Sequence, residues 1–132
     1  MPPPYPLAMV VCDAIWRDPS SGKRFLLGCF SVLHAGGFPA RHPAMAVHVA
    51  VTNGHGQMPL TVRLIDDEEA QPPLWGATAE VHFPDPRGTV EMDFMMGPLV
   101  FPTAGVYRFQ LFAGGEFVTE RRIVVEEMAA AE

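Results

Sequence analysis

The sequence predicts an all-β domain built as two antiparallel sheets packed face to face. Three observations carry that expectation. In Tyr107-Arg108-Phe109-Gln110-Leu111 apolar and polar residues alternate, the period of a strand with one buried face. Around Ala113-Gly114-Gly115 this segment meets a second one, Glu116 to Val125, so that Phe101 to Val125 reads as a closing hairpin. Fourteen prolines and twelve glycines punctuate the chain, which leaves little room for helices.

Register in the closing hairpin depends on its turn. A two-residue Gly114-Gly115 turn would set Phe109 opposite Glu120 and Tyr107 opposite Arg122, mixing core with charge. A three-residue loop, Ala113-Gly114-Gly115, sets Leu111 opposite Phe117, Phe109 opposite Thr119 and Arg108 opposite Glu120. The second register is self-consistent and is the expected one. It places Phe117, Ile123 and Val125 on the buried face. Gly105-Val106-Tyr107 has the form of a tyrosine corner, in which a Tyr at a strand start bonds back to nearby backbone.

The length of 132 residues fits one domain, 1–132, with 1–6 and 127–132 as flexible ends. Net charge is -6 and Lys23 is the only lysine, a balance that argues against a nucleic-acid footprint or an anionic membrane surface. Met-Pro-Pro-Pro-Tyr-Pro has no basic n-region, and no apolar run is long enough to span a bilayer. A cytoplasmic setting is the expectation. Cys12 and Cys29 are then reduced, and with no Cys-x-x-Cys there is no zinc ribbon.

Taken in order, strands are expected over 7–17 and 23–35, joined by Asp18-Pro19-Ser20-Ser21-Gly22. A symmetric loop pairs Trp16 with Phe25, Ala14 with Leu27 and Cys12 with Cys29. Both faces of this hairpin are largely apolar, which predicts a central, covered position. The two cysteines read either as a redox pair or, more plainly, as two small buried thiols. Strands over 44–52 and 60–65 would pair with Val47, Val49 and Val51 against Leu64, Val62 and Leu60, and His48 beside Arg63. The acidic run Asp66-Asp67-Glu68-Glu69 lacks the spacing of a calcium loop and reads as a solvated turn. Strands over 78–83 and 89–96 follow, joined by Pro84-Asp85-Pro86-Arg87-Gly88. The tail from Glu126 has room for one helical turn.

Candidate site residues are few. Asp13, within Val-Val-Cys-Asp-Ala-Ile, is a carboxylate that needs partners if buried. Arg41 and His42, on the loop after Gly36-Gly37, could grip an anion. The expected pairing of the strands over 78–83 and 89–96 sets His82 opposite Glu91 and Glu80 opposite Asp93. That face could hold a divalent cation, although alternating polar residues also describe any solvated strand face. No Gly-x-Ser-x-Gly, phosphate-binding glycine loop or His-Glu-x-x-His occurs. No cofactor is implied.

The opening, with Cys12-Asp13, Gly22-Lys23, Gly28-Cys29-Phe30 and Phe38-Pro39, and the ending, Phe101-Pro102 then Gly105-x-Tyr107-x-Phe109 and Gly115-Glu116, resemble an uncharacterised bacterial family of small single-domain β-sandwich proteins. The resemblance implies a fold and carries over no functional residues. The expectation is therefore a two-sheet, immunoglobulin-like β-sandwich of about eight strands. Its expected role is non-catalytic, as a protein-interaction or assembly module that meets a protein partner or a second copy of itself as a homodimer. The alternative is a metal- or small-molecule-binding sandwich, with hydrolysis as one outcome, using Glu80, His82, Glu91 and Asp93.

Overall fold

A computed structural model describes residues 3–128. The chain is all-β. Its strands are β1 (Tyr5–Arg17), β2 (Arg24–Cys29), β3 (Val32–Ala35), β4 (Ala40–His42), β5 (Met45–Thr52), β6 (Gly56–Asp66), β7 (Trp75–Phe83), β8 (Thr89–Met96), β9 (Leu99–Phe101), β10 (Gly105–Ala113) and β11 (Glu116–Glu127). One sheet has the order β2-β1-β5-β8, a second the order β3-β11-β10-β6-β7, and β4 and β9 form a small ribbon. Eleven strands in three sheets replace the expected eight in two: the expected strand 23–35 divides between the two large sheets, and β4 and β9 add the ribbon.

Both large sheets contribute to one core. Val11, Val47, Val49, Val51 and Phe94 come from the first, and Leu60, Val62, Leu64, Tyr107, Phe109, Leu111, Ile123 and Val125 from the second. The expected alternation of Tyr107, Phe109 and Leu111 into the core is therefore realised. Tyr107 also donates its hydroxyl to the Thr103 carbonyl at 2.7 Å, the return bond expected of a Tyr at this position.

The expected three-residue-loop register is formed nowhere in the closing hairpin, and the two-residue register holds only beside the turn. Its turn is the two-residue Gly114-Gly115, both at positive φ (58° and 85°), with Ala113 opposite Glu116 and Phe112 opposite Phe117. The ladder then shifts, leaving Val118 as an extra residue, and continues with Leu111 opposite Thr119 and Tyr107 opposite Ile123. The bulge reconciles a favoured glycine turn with a buried face. It also turns Phe117 outward, where it is exposed against Phe112. Arg108 lies opposite Arg122, yet reaches Glu120 diagonally at 3.1 Å.

The opening hairpin has the expected register, with Cys12 opposite Cys29, Ala14 opposite Leu27 and Trp16 opposite Phe25. Its position differs from expectation. β2 is an edge strand, and Trp16, Phe25 and Leu27 are about half exposed, at 51%, 48% and 51%. The expected strand 23–35 is two strands. β2 ends at Cys29, and β3 joins the other sheet in parallel with β11. That pairing takes Glu126 and Glu127 into a strand opposite His34 and Ala35 rather than into a helical turn. Tyr5 and Pro6 likewise open β1; residues 1, 2 and 129–132 lie outside the described residues.

Two further expected hairpins are arches between sheets. β5 pairs with β1 and β8, whereas β6 pairs with β10 and β7. Gly54, in the connection, is buried where a Cβ would run into the Phe83 ring, so only glycine lets the chain cross there. β7 and β8 also lie in different sheets.

The opening hairpin does not continue flat. Arg24 pairs with Arg17, and His48 pairs with Val10 and Asp93. An extended strand would put Arg17 about 23 Å from Val10, far beyond the reach of an arginine side chain. Yet Arg24 Nε lies 2.8 Å from Asp93 Oδ2. The hairpin therefore folds back across the outer face of its own sheet. The turning point is where β1 parts from β5 after Cys12. There Gly28 takes φ 70°, and a Cβ on it would stand 2.7 Å from Asp13 Oδ2. The fold-back accounts for β5 being buried on both faces, with Ala46, His48 and Ala50 buried like the valines on the other face.

Candidate functional site

Three features of the first sheet and its margin bear on function. The first is the network that holds the folded-back hairpin. Arg24 donates to Asp93 at 2.8 Å and to Glu91 at 2.8 Å. The His48 ring bonds the other Asp93 oxygen through Nδ1 at 2.8 Å and stands 3.6 Å from Glu91 through Nε2. His48 is thus beside Asp93, and the expected neighbour Arg63 is in the other sheet, bonded to Gln110. Burial alone would raise the Asp93 pKa; the hydrogen bonds from His48 and Arg24 outweigh it and hold the carboxyl below its ordinary value.

The expected cation-binding face does not assemble. Glu91 and Asp93 sit on β8 opposite Ala50 and His48, while Glu80 and His82 sit on β7 opposite Pro59 and Gln57. Alternation told correctly that each pair shares a strand face, but not that the strands belong to different sheets. Among the described residues, no group of three or more His, Cys, Asp or Glu side chains is placed to hold a metal ion. Glu91 and Asp93 are already engaged by Arg24 and His48.

The second feature is the margin where Asp13 and His42 meet. Asp13 Oδ1 lies 3.1 Å from His42 Nε2, joining two residues 29 positions apart. The Phe30 ring packs on His42 with centroids 5.9 Å apart. β4, which carries Arg41 and His42, is held by β9 through Arg41 opposite Val100. Beside it lies a cleft of about 270 Å³ lined by His34, Arg41 and His42, the Gly36-Gly37 turn and Phe101. The sequence points to Asp13 on one side and to Arg41 with His42 on the other; the structure brings Asp13 and His42 together and adds His34. An Asp–His pair can orient an imidazole toward a ligand or a nucleophile. Among the described residues, the side-chain hydrogen bond of His42 is to Asp13.

The third feature is the outward face of the hairpin. Ala14, Trp16, Phe25 and Leu27 alternate with Ile15, Arg24 and Leu26, which turn toward the sheet below. The Trp16 and Phe25 rings lie 5.2 Å apart. No strand pairs with the free edge of β2 among the described residues. Its exposure could not be read from the sequence, because two apolar faces look alike until one is seen to cover a neighbour.

The class that this fold and these features define is a small all-β domain with an apolar edge hairpin and a polar cleft at its margin. The chain matches the family of unknown function DUF6941 over residues 7–126 and belongs to it. No match is found among curated proteins. No helix among the described residues is long and apolar enough to cross a membrane.

Proposed function

We propose that this protein is a non-catalytic interaction module, an immunoglobulin-like sandwich acting in the cytoplasm. Its contact element is the folded-back hairpin, and its occupant is the hairpin of a second copy. The observation that carries the reading is the coincidence of an unpaired strand edge with an exposed apolar face on the same element. Open edges pair with other strands unless they are blunted, and β2 carries no proline and only one charge, Arg24, which is engaged internally. An antiparallel β2–β2 pair about a two-fold axis at Leu26 would set Phe25 of each copy opposite Leu27 of the other. Apolar pairs of that kind stabilise a sheet, and a self-complementary patch is what a two-fold dimer needs.

Light scattering and sedimentation over a dilution series test the reading, with Phe25→Glu and Leu27→Lys as disrupting variants. The expected result is a dimer that both variants convert to a folded monomer. A wild-type chain that stays monomeric at the highest soluble concentration overturns it.

A second reading rests on the cleft. His34, Arg41 and His42 converge there in a chain of net charge -6, which favours a small anionic ligand over a cation. Titration with inorganic phosphate and simple carboxylates, read by shifts of the His34 and His42 ring resonances, tests it. Unmoved resonances would remove this reading.

A further inference from the structure

We propose that Cys29 and Cys12 form a thiol–disulfide modification site, in which Cys29 is the entry thiol and Cys12 the resolving thiol. The opening hairpin sets them directly opposite each other on antiparallel strands. The ladder also fixes which kind of opposition this is. The Phe30 amide donates to the Val11 carbonyl at 3.2 Å, so the bonds to β2 flank the cysteine pair rather than join it. Cys12 and Cys29 are a non-hydrogen-bonded pair. Such pairs bring their Cα atoms to about 4.5 Å, the closest approach in a sheet. That separation falls at the short end of the range a disulfide spans, about 4.4–6.8 Å.

The two thiols differ in a way that assigns an order of events. Cys29 is exposed, and Cys12 is fully buried. The Cys12 thiol donates a weak bond to the Ala46 carbonyl at 3.8 Å, and a turn about χ1 carries its sulfur from that carbonyl toward β2. Burial, and then the charge of Cys29 beside it, push the Cys12 thiol above its ordinary pKa. It is therefore a poor first nucleophile and depends on a disulfide being delivered to its neighbour. The expectation of two buried thiols holds for Cys12 alone.

The oxidant is a small-molecule disulfide, written RSSR. The Cys29 thiolate attacks one sulfur of RSSR, forming Cys29–S–S–R and releasing one RS⁻, which takes up the Cys29 proton. The Cys12 thiolate then attacks the Cys29 sulfur, forming the Cys12–Cys29 bond and releasing the second RS⁻ with the Cys12 proton. Two protein thiols are oxidised by two electrons, and RSSR is reduced to two RSH. The bond pins the root of the hairpin beside the Asp13–Gly28 bend. This inference does not depend on the dimer, because Cys12 and Cys29 are paired within one hairpin of one chain.

The test uses the full chain in buffers of reduced and oxidised glutathione, quenched by alkylation and read by intact mass. The wild-type chain is expected to lose two hydrogens, resist alkylation at both cysteines and stay a single chain on a non-reducing gel. Cys12→Ser should stop with one glutathione on Cys29. Cys29→Ser should remain unmodified while folded and react only in denaturant, which also shows that the variant had folded. The proposal is overturned if wild type remains a dithiol in the most oxidising buffer. It is overturned equally if wild type accumulates one glutathione with Cys12 still free, or links two chains through Cys29.

Discussion

Replacing Asp93 by Asn tests the fold-back of the opening hairpin. The side chains of Asp93 and Arg24 are each only 15% exposed and meet at 2.8 Å, while His48 holds the other carboxylate oxygen at 2.8 Å. Removing one member of a fully buried pair costs about 3–5 kcal/mol. Here Arg24 keeps Glu91, which at 45% exposure is a weak partner, and the amide oxygen of Asn still accepts one bond. The loss is therefore about 2 kcal/mol, or about 6 °C in melting temperature for a chain of this size. Urea unfolding at neutral pH measures it. The sign against pH is fixed as well. The Asp93 pKa is lowered in the folded protein, so its contribution is complete above the unfolded value of about 3.9 and is lost as pH falls through the folded value. The gap between wild type and Asp93→Asn should close in acid. Asp18 and Asp85 are also held below their ordinary values, by Ser21 and by Arg87, but they are present in both proteins and cancel. A neutral-pH loss under about 0.5 kcal/mol, the usual effect of a surface change, or a gap that persists in acid, would refute the buried network.

Other outcomes follow from single contacts. Gly28→Ala should destabilise by about 2–4 kcal/mol in a urea melt, because a left-handed residue with a Cβ costs about 1–2 kcal/mol and that Cβ meets the Asp13 carboxylate. Tyr107→Phe should cost about 1 kcal/mol, the net worth of its bond to Thr103, with no change in the circular dichroism spectrum. Asp13→Ala should leave stability within about 0.5 kcal/mol, since Asp13 is 56% exposed, while shifting the His42 ring resonances by NMR; an unshifted ring would mean the pair is not formed.

Legibility in the sequence followed how local each determinant was. The pairing of Trp16 with Phe25 and of Cys12 with Cys29 depends only on a short loop and a shared period, and it was readable. So was the burial of Tyr107, Phe109 and Leu111. What alternation cannot convey is which sheet a strand joins. Val47, Val49 and Val51 and Leu60, Val62 and Leu64 face one interior, and a hairpin and an arch both satisfy that pattern. The deciding contact, Gly54 under Phe83, spans 29 residues. The same limit separated Glu80 and His82 from Glu91 and Asp93. The Val118 bulge escaped for another reason: two weak signals, a Gly-Gly turn and a charged Glu120-Arg121-Arg122 run, conflict, and the chain resolves them by spending one residue.

The fold-back also changes what the polar residues of β8 mean. On a flat sheet, Glu91 and Asp93 would be solvated carboxylates open to a cation. Here they receive Arg24 from a hairpin that would otherwise leave Ala46, His48 and Ala50 in water. The two alanines leave room for a second layer, and the ion pair specifies where it lands. Covering one apolar face, however, leaves the hairpin with another, and Trp16, Phe25 and Leu27 have nothing above them among the described residues. A hairpin apolar on both sides is unfavourable in isolation and is satisfied when each side has a partner. The inner side is satisfied by the sheet beneath it; the outer side is the reason to look for a second chain before a substrate.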